Sequence, residues 1–230
     1  MLRPYFLPLT QKYTPQPCPT SLSILIKVLK MDEQLHGHNS AVQCVALRSN
    51  GHVASGSDDG SIIIHATSSN KVEYRVDNAF AGLGVDGLCY LLDGSLLACG
   101  YGDDDGSNLK VFSPSLELVQ TLVGQHGPVN CVTVSPSGSH FASGDNFAKV
   151  MIWSEPGEGG EWARVQVLED HKHDIFAVCF SPNGKQLATG SVDKSINLYS
   201  FNEGSAILAH TLEGHTSLVV SLSFSPVTGP

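Results

Sequence analysis

Residues 186–200 read Gln-Leu-Ala-Thr-Gly-Ser-Val-Asp-Lys-Ser-Ile-Asn-Leu-Tyr-Ser, two short apolar runs around an Asp-bearing turn. The small triplet inside this stretch, Ala188-Thr189-Gly190, is not unique. It recurs as Ala54-Ser55-Gly56, Ala98-Cys99-Gly100 and Ala142-Ser143-Gly144, at steps of 44, 44 and 46. A period of that size marks a repeat architecture, and it outranks any local reading of helix or strand.

A second pattern keeps the same step. An aliphatic residue, two others, an aliphatic, one more and a large apolar residue appear as Val42/Val45/Leu47, Val85/Leu88/Tyr90 and Val129/Val132/Val134, then as Ile175/Val178/Phe180 and Val219/Leu222/Phe224. A third element precedes most of these runs, as Gly37-His38, Gln125-His126, Asp170-His171 and Gly214-His215. Hairpin signals follow them: Ser135-Pro136-Ser137-Gly138, Ser181-Pro182-Asn183-Gly184 and Asp93-Gly94.

Each unit therefore reads as four short strands, placed in the fourth unit at about 175–180, 186–190, 195–200 and 206–212. The first strand is apolar almost throughout, as a strand covered on both faces must be. Cys44, Cys131 and Cys179 fall on such strands. One thin sheet cannot bury both its faces alone. Five apolar residues per unit give on the order of 10 kcal/mol of gross burial, and conformational entropy cancels most of it. Radial packing of sheet on sheet is the solution, an all-β propeller of four-stranded antiparallel blades. The expected units are about 35–78, 79–121, 122–167 and 168–211, with the first strand of a fifth in 212–230. Residues 1–34 fit no repeat.

Composition agrees. Gly (23) and Pro (12) are plentiful and Met is scarce at 3, which suits strands joined by turns. Residues 1–31 carry four bases and no acid, whereas 32–230 hold 22 acids against 9 bases, a net −13. An acidic body repels phosphate backbones, so nucleic acid is not an expected partner. The six cysteines form no CxxC pair, and most sit in apolar runs, where thiols act as small hydrophobes. A reducing, intracellular compartment is expected, cytoplasmic or nuclear. No stretch reaches the roughly 18 to 20 apolar residues of a membrane span.

The period, the Gly-His turn, the Ser-Pro-x-Gly hairpin and the Ala-Ser-Gly-Ser-x-Asp run together resemble the WD-repeat family, over about residues 35–226. In that family a His, a Ser or Thr, an Asp and a Trp form a hydrogen-bonded set within each blade. The resemblance implies that His38, Ser55 and Asp59 play these parts in the first unit, with His65 at the Trp position. It implies His126, Ser143 and Trp153 in the third, where Phe147 stands in the Asp slot, and His171, Thr189, Asp193 and Tyr199 in the fourth. His215 would open a fifth. The Asp of the Trp-Asp signature is replaced throughout, by Ala66, Ser113, Ser154 and Ser200. The second unit is the most divergent: it lacks the His, carries Asp103-Asp104-Asp105-Gly106 and ends in Phe112.

The family's chemistry is binding. Candidate contacts with protein partners are Asn39, His52, Asp86, Asp174 and Ser217, near first strands or in adjoining turns. Trp162 is either an exposed anchor or the packing of an outer strand. His36-x-His38 and His171-x-His173 offer too few converging ligands for zinc, and three consecutive Asp do not have calcium-loop spacing. No G-x-S-x-G elbow or P-loop is present, and Ser/His/Asp sets that recur once per unit read as a structural device. The expectation is a scaffold without cofactor or metal. The rivals are a hydrolase-like enzyme using one Ser/His/Asp set and a truncated isoform without independent function. The run ending in Ser225-Pro226 suggests a fragment of a longer propeller that associates with further blades.

Overall fold

The computed structural model describes residues 34–48, 50–102, 108–125, 127–155 and 160–225. His126 and Asp103–Asp105, singled out above, lie outside the described residues, as do residues 1–33. The described residues form four four-stranded antiparallel sheets and no helix. The first blade holds β1 (Val42–Arg48), β2 (His52–Ser57), β3 (Ile62–Ala66) and β4 (Lys71–Val76). The second holds β5 (Val85–Tyr90), β6 (Leu96–Gly100), β7 (Leu109–Phe112) and β8 (Leu118–Leu122). In the third are β9 (Val129–Val134), β10 (His140–Asp145), β11 (Val150–Ser154) and β12 (Ala163–Leu168). β13 (Ile175–Phe180), β14 (Gln186–Ser191), β15 (Ile196–Asn202) and β16 (Ser205–Leu212) make the fourth. In each sheet the strands lie in chain order.

Burial falls between sheets, where three apolar clusters join neighbouring blades. The glycines of three of the four small triplets show why. A Cβ on Gly56 would lie 2.6 Å from Val85 Cγ1, and one on Gly144 would lie 2.5 Å from Ile175 Cγ2. On Gly190 it would lie 2.7 Å from Val219 Cγ1. The first aliphatic residue of one unit is thus seated on the bare glycine of the unit before, and two of the three sequence patterns are the halves of one contact. Cys44 and Cys131 tighten it, their thiols donating to the carbonyls of Val85 and Ile175 at 3.5 and 3.8 Å. Burial pushes both thiols far above the ordinary range.

Two features differ from the reading of the sequence. In the second blade Leu97 pairs with Val111, as Val53 pairs with His65, Phe141 with Trp153 and Leu187 with Tyr199. Val111, not Phe112, therefore occupies the Trp slot, and Phe112, not Ser113, follows it. The extra residues between β6 and β7 hide that register from counting. Residues 213–225, where the first strand of a fifth unit is expected, hold no strand. Val219 is buried there, and its N–H donates to the Ser191 carbonyl at 3.0 Å.

Candidate functional site on the turn end of the blades

The loops before β1, β5, β9 and β13, together with the turns that follow β2, β6, β10 and β14, share one end of the sheets, because first and second strands run antiparallel. In the first blade His38 is clamped at both ring nitrogens: Nε2 meets Ser55 Oγ at 2.8 Å and Nδ1 meets Ser61 Oγ at 2.8 Å, with Asp59 Oδ1 at 3.5 Å. Asp59 in turn accepts the backbone N–H of Asn39 at 2.6 Å and that of Ser61 at 2.9 Å. The incoming loop and the turn are thereby tied through one carboxylate. Partial burial works against ionising Asp59, yet the hydrogen bonds from Ser61 and Asn39, with His38 beside it, hold its carboxyl well below the usual carboxylate range.

The fourth blade repeats the arrangement. His171 Nε2 meets Thr189 Oγ1 at 2.8 Å and Nδ1 meets Asp193 Oδ2 at 2.9 Å. Asp193 accepts the N–H groups of Lys172 and Ser195, each at 2.9 Å. Its carboxyl is held down in the same way: burial opposes, while Ser195, Lys172 and His171 overcome it. Tyr199 in the Trp slot donates to Asp170 Oδ2 at 3.1 Å, and His65 in the first blade reaches the His36 carbonyl at 3.0 Å.

The third blade solves the same problem with other residues. Ser143, fully buried, accepts Trp153 Nε1 at 3.0 Å and also accepts Gln125 Nε2. The turn carboxylate comes from Asp145, which accepts the N–H groups of Phe147 and Lys149 at 2.9 Å each. Phe147, in the slot of Asp59 and Asp193, is released from capping and stands 56% exposed. Gln125, Asp145, Ser61 and Ser195 were missed in the sequence. The Asp-x-Ser spacing at 59–61 and 193–195 was the available signal, since a serine two residues after Asp can return a hydroxyl to it.

Of the candidate contacts, Asn39 and Ser217 are exposed, while Asp86 and Asp174 are half-buried at the starts of the β5 and β13 regions. All four lie on the turn end. His52 does not. It opens β2 at the opposite end, paired across from Arg48, and its Nε2 meets Glu73 Oε2 at 2.7 Å. Trp162 is half-buried and packs against Phe141, ring centroids 4.8 Å apart. His215 is exposed. Tyr101, 44% exposed, joins Phe147 as an outward aromatic on the turn end.

These sets offer little to a substrate. Ser55, Ser143 and Thr189 are buried hydroxyls, and both nitrogens of His38 and His171 are already engaged. The described residues hold no group of three or more His, Cys, Asp or Glu placed to bind a metal ion. No helix among them is long and apolar enough to cross a membrane.

The model of the WD domain, G-beta repeat matches residues 29–65, 116–154 and 162–200, half of the sequence, and the chain belongs to that family. Over 175 residues it is 27% identical to the U3 small nucleolar RNA-associated protein 4 homolog of Mus musculus, covering 76% of this chain and 25% of that protein. It is 40% identical over 87 residues to a probable cytosolic iron-sulfur protein assembly protein 1 of Botryotinia fuckeliana, covering 36% of this chain and 20% of the relative. With the meiotic recombination protein rec14 of Schizosaccharomyces pombe it shares 30% identity over 149 residues, covering 63% of this chain and 46% of the relative. The chain thus spans less than half the length of each of these relatives.

Proposed function

We propose that the turn end of the blades is a docking face for partner proteins and that the chain serves as a non-catalytic scaffold within a larger complex, without a cofactor. The observation that carries this reading is the third-blade substitution. There Asp145 assumes the capping of the turn, and the freed slot holds an exposed aromatic, Phe147, on a backbone fixed by three hydrogen-bonded ends. A rigid aromatic costs little entropy to bury and is the residue type that anchors interfaces. Asn39, Asp58, Asp86, Asp174 and Ser217 give that face polar and acidic groups, which favour a partner segment carrying Lys or Arg. Thiols outside any disulfide at Cys44, Cys89, Cys99 and Cys131, half-buried or buried on the strands, support a reducing intracellular setting, cytoplasmic or nuclear. Nucleic acid is not proposed as a ligand, because the body of the chain is strongly acidic.

Affinity capture on the intact chain, followed by mass spectrometry, tests the reading. Partners recovered with the wild type should be lost with Phe147→Ser and kept with Ser68→Ala, an exposed position in the turn after β3 at the far end of the blades. Equal recovery with both variants, or no reproducible partner, would refute the assignment of the face.

A further inference from the structure

Blades two, three and four are joined at their outer strands by side-chain amides. Gln120 of β8 donates through Nε2 to the Trp162 carbonyl at 3.1 Å and accepts the Trp162 N–H at 3.0 Å. Gln166 of β12 does the same to Ala206 of β16, at 2.8 and 2.7 Å. A primary carboxamide suits this place because it carries a donor and an acceptor side by side and no net charge.

The junction of blades one and two has no such glutamine. Tyr74 stands opposite Ile64 as Gln166 stands opposite Ile152. Across the gap lies Pro114, which has no N–H to offer. Between them is a cleft of about 230 Å³ lined by Arg48, His52, Glu73, Tyr74, Tyr90 and Pro114. Two buried polar atoms here, His52 Nδ1 and the Tyr90 hydroxyl oxygen, have no hydrogen-bonding partner among the described residues. Buried polar atoms in native proteins are nearly always partnered. Burial pushes the Tyr90 hydroxyl up to about 12, so it keeps its proton and can donate. His52 Nε2 stands 2.7 Å from Glu73 Oε2, and the neutral imidazole with its proton on Nε2 leaves Nδ1 as an acceptor. The Arg48 guanidinium carbon stands 6.0 Å from the centre of the Tyr90 ring. One cation and one anion flank the cleft, so its charge is balanced.

We propose that this cleft binds a primary carboxamide, with the amide oxygen accepting from Tyr90 and Arg48 and the amide N–H donating to His52 Nδ1. The ligand supplies from outside what Gln120 and Gln166 supply within the chain. A carboxylate would face Glu73 and the bare Nδ1, and is disfavoured. The same chemistry could come from a free small amide or from an Asn or Gln side chain of a partner.

The test is an NMR titration of the isotopically labelled full chain with acetamide, with N-acetyl-glutamine N-methylamide, and with acetate. Saturable shifts at the Tyr90 and His52 amides are expected with both amides and not with acetate. Tighter binding of the glutamine compound by about tenfold identifies a partner side chain as the source, and equal affinity identifies a free amide. Tyr90→Phe should weaken binding by about tenfold, the scale of one hydrogen bond. Tyr74→Gln, which restores a carboxamide within the chain, should abolish it and carries the test if the first variant does not fold. No saturable shift with either amide, acetate binding as tightly as acetamide, or unchanged affinity in Tyr74→Gln would overturn the proposal.

Discussion

Blades three and four have the same strands in the same order, yet they hold their turns by different means. In the fourth, a histidine spans from Thr189 to Asp193 and the aspartate ties loop to turn. In the third, Gln125 and Trp153 meet on Ser143, and the turn is capped from two residues earlier by Asp145. What is common is a role: a buried hydroxyl at the middle of the second strand, and a carboxylate that receives the N–H groups of the turn. What differs is the slot left over. In blade four Asp193 fills it and is spent on structure, whereas in blade three Phe147 fills it and faces solvent. A family device relieved of its structural duty becomes free for binding.

The largest expected effect lies in what the two blades share, the contact between them. Ile175→Ala should cost about 2–5 kcal/mol, because a fully buried side chain is removed from the bare face of Gly144. Denaturant unfolding of the variant measures it. Next comes the set itself. Thr189→Val keeps the shape but strands His171 Nε2, which is buried, and should cost about 1–3 kcal/mol. Ser143→Ala strands Trp153 Nε1 and should fall in the same range. A loss confined to one blade would separate the two devices.

Acid distinguishes them further. The Asp193 carboxyl is held below its ordinary value near 3.9. A depressed folded-state value gives stability that is complete above the ordinary one and is lost as pH falls below it. The stability of the wild type should therefore decline more steeply below about pH 4 than that of Asp193→Asn, when both are followed by thermal melting. Parallel curves would mean that the carboxylate does not cap the turn. The smallest effect on stability is expected at the free slot. Phe147→Asp restores the residue of the other blades where Asp145 already caps, so stability should stay within about 0.5 kcal/mol. Partner capture should fall all the same.

Most of the fold was legible because its determinants are local and repeated. At Gly56, Gly144 and Gly190 the Ala-x-Gly triplet and the aliphatic pattern are the two sides of one junction, and each pattern returns every 44 or so residues. The set in blade four could be named by resemblance, since His171, Thr189 and Asp193 stand at the expected spacings. The set in blade three could not, because Gln125 and Asp145 do the same work from shifted positions, and a hydrogen bond depends on where an atom ends up. The register of Val111 was hidden by the extra residues between β6 and β7, whose effect on pairing counting along the chain cannot measure. His52 was misplaced for a related reason: strand direction decides which end of a sheet a hairpin residue occupies, and spacing alone does not state it. The cleft beside it has no signature in the sequence, being assembled from the four strands of the first blade, β5 and the loop after β7.

Amide hydrogen exchange across the intact chain tests most directly whether each blade is stabilised by the next. The inner strands β5, β9 and β13, each seated against the blade before it, should be the slowest to exchange and should open together, with the turn amides of Asn39, Ser61, Lys172 and Ser195 slower than the exposed outer strand β4. If β5, β9 and β13 exchanged as fast as β4, or each opened independently of its neighbours, the stacked-blade account would be contradicted.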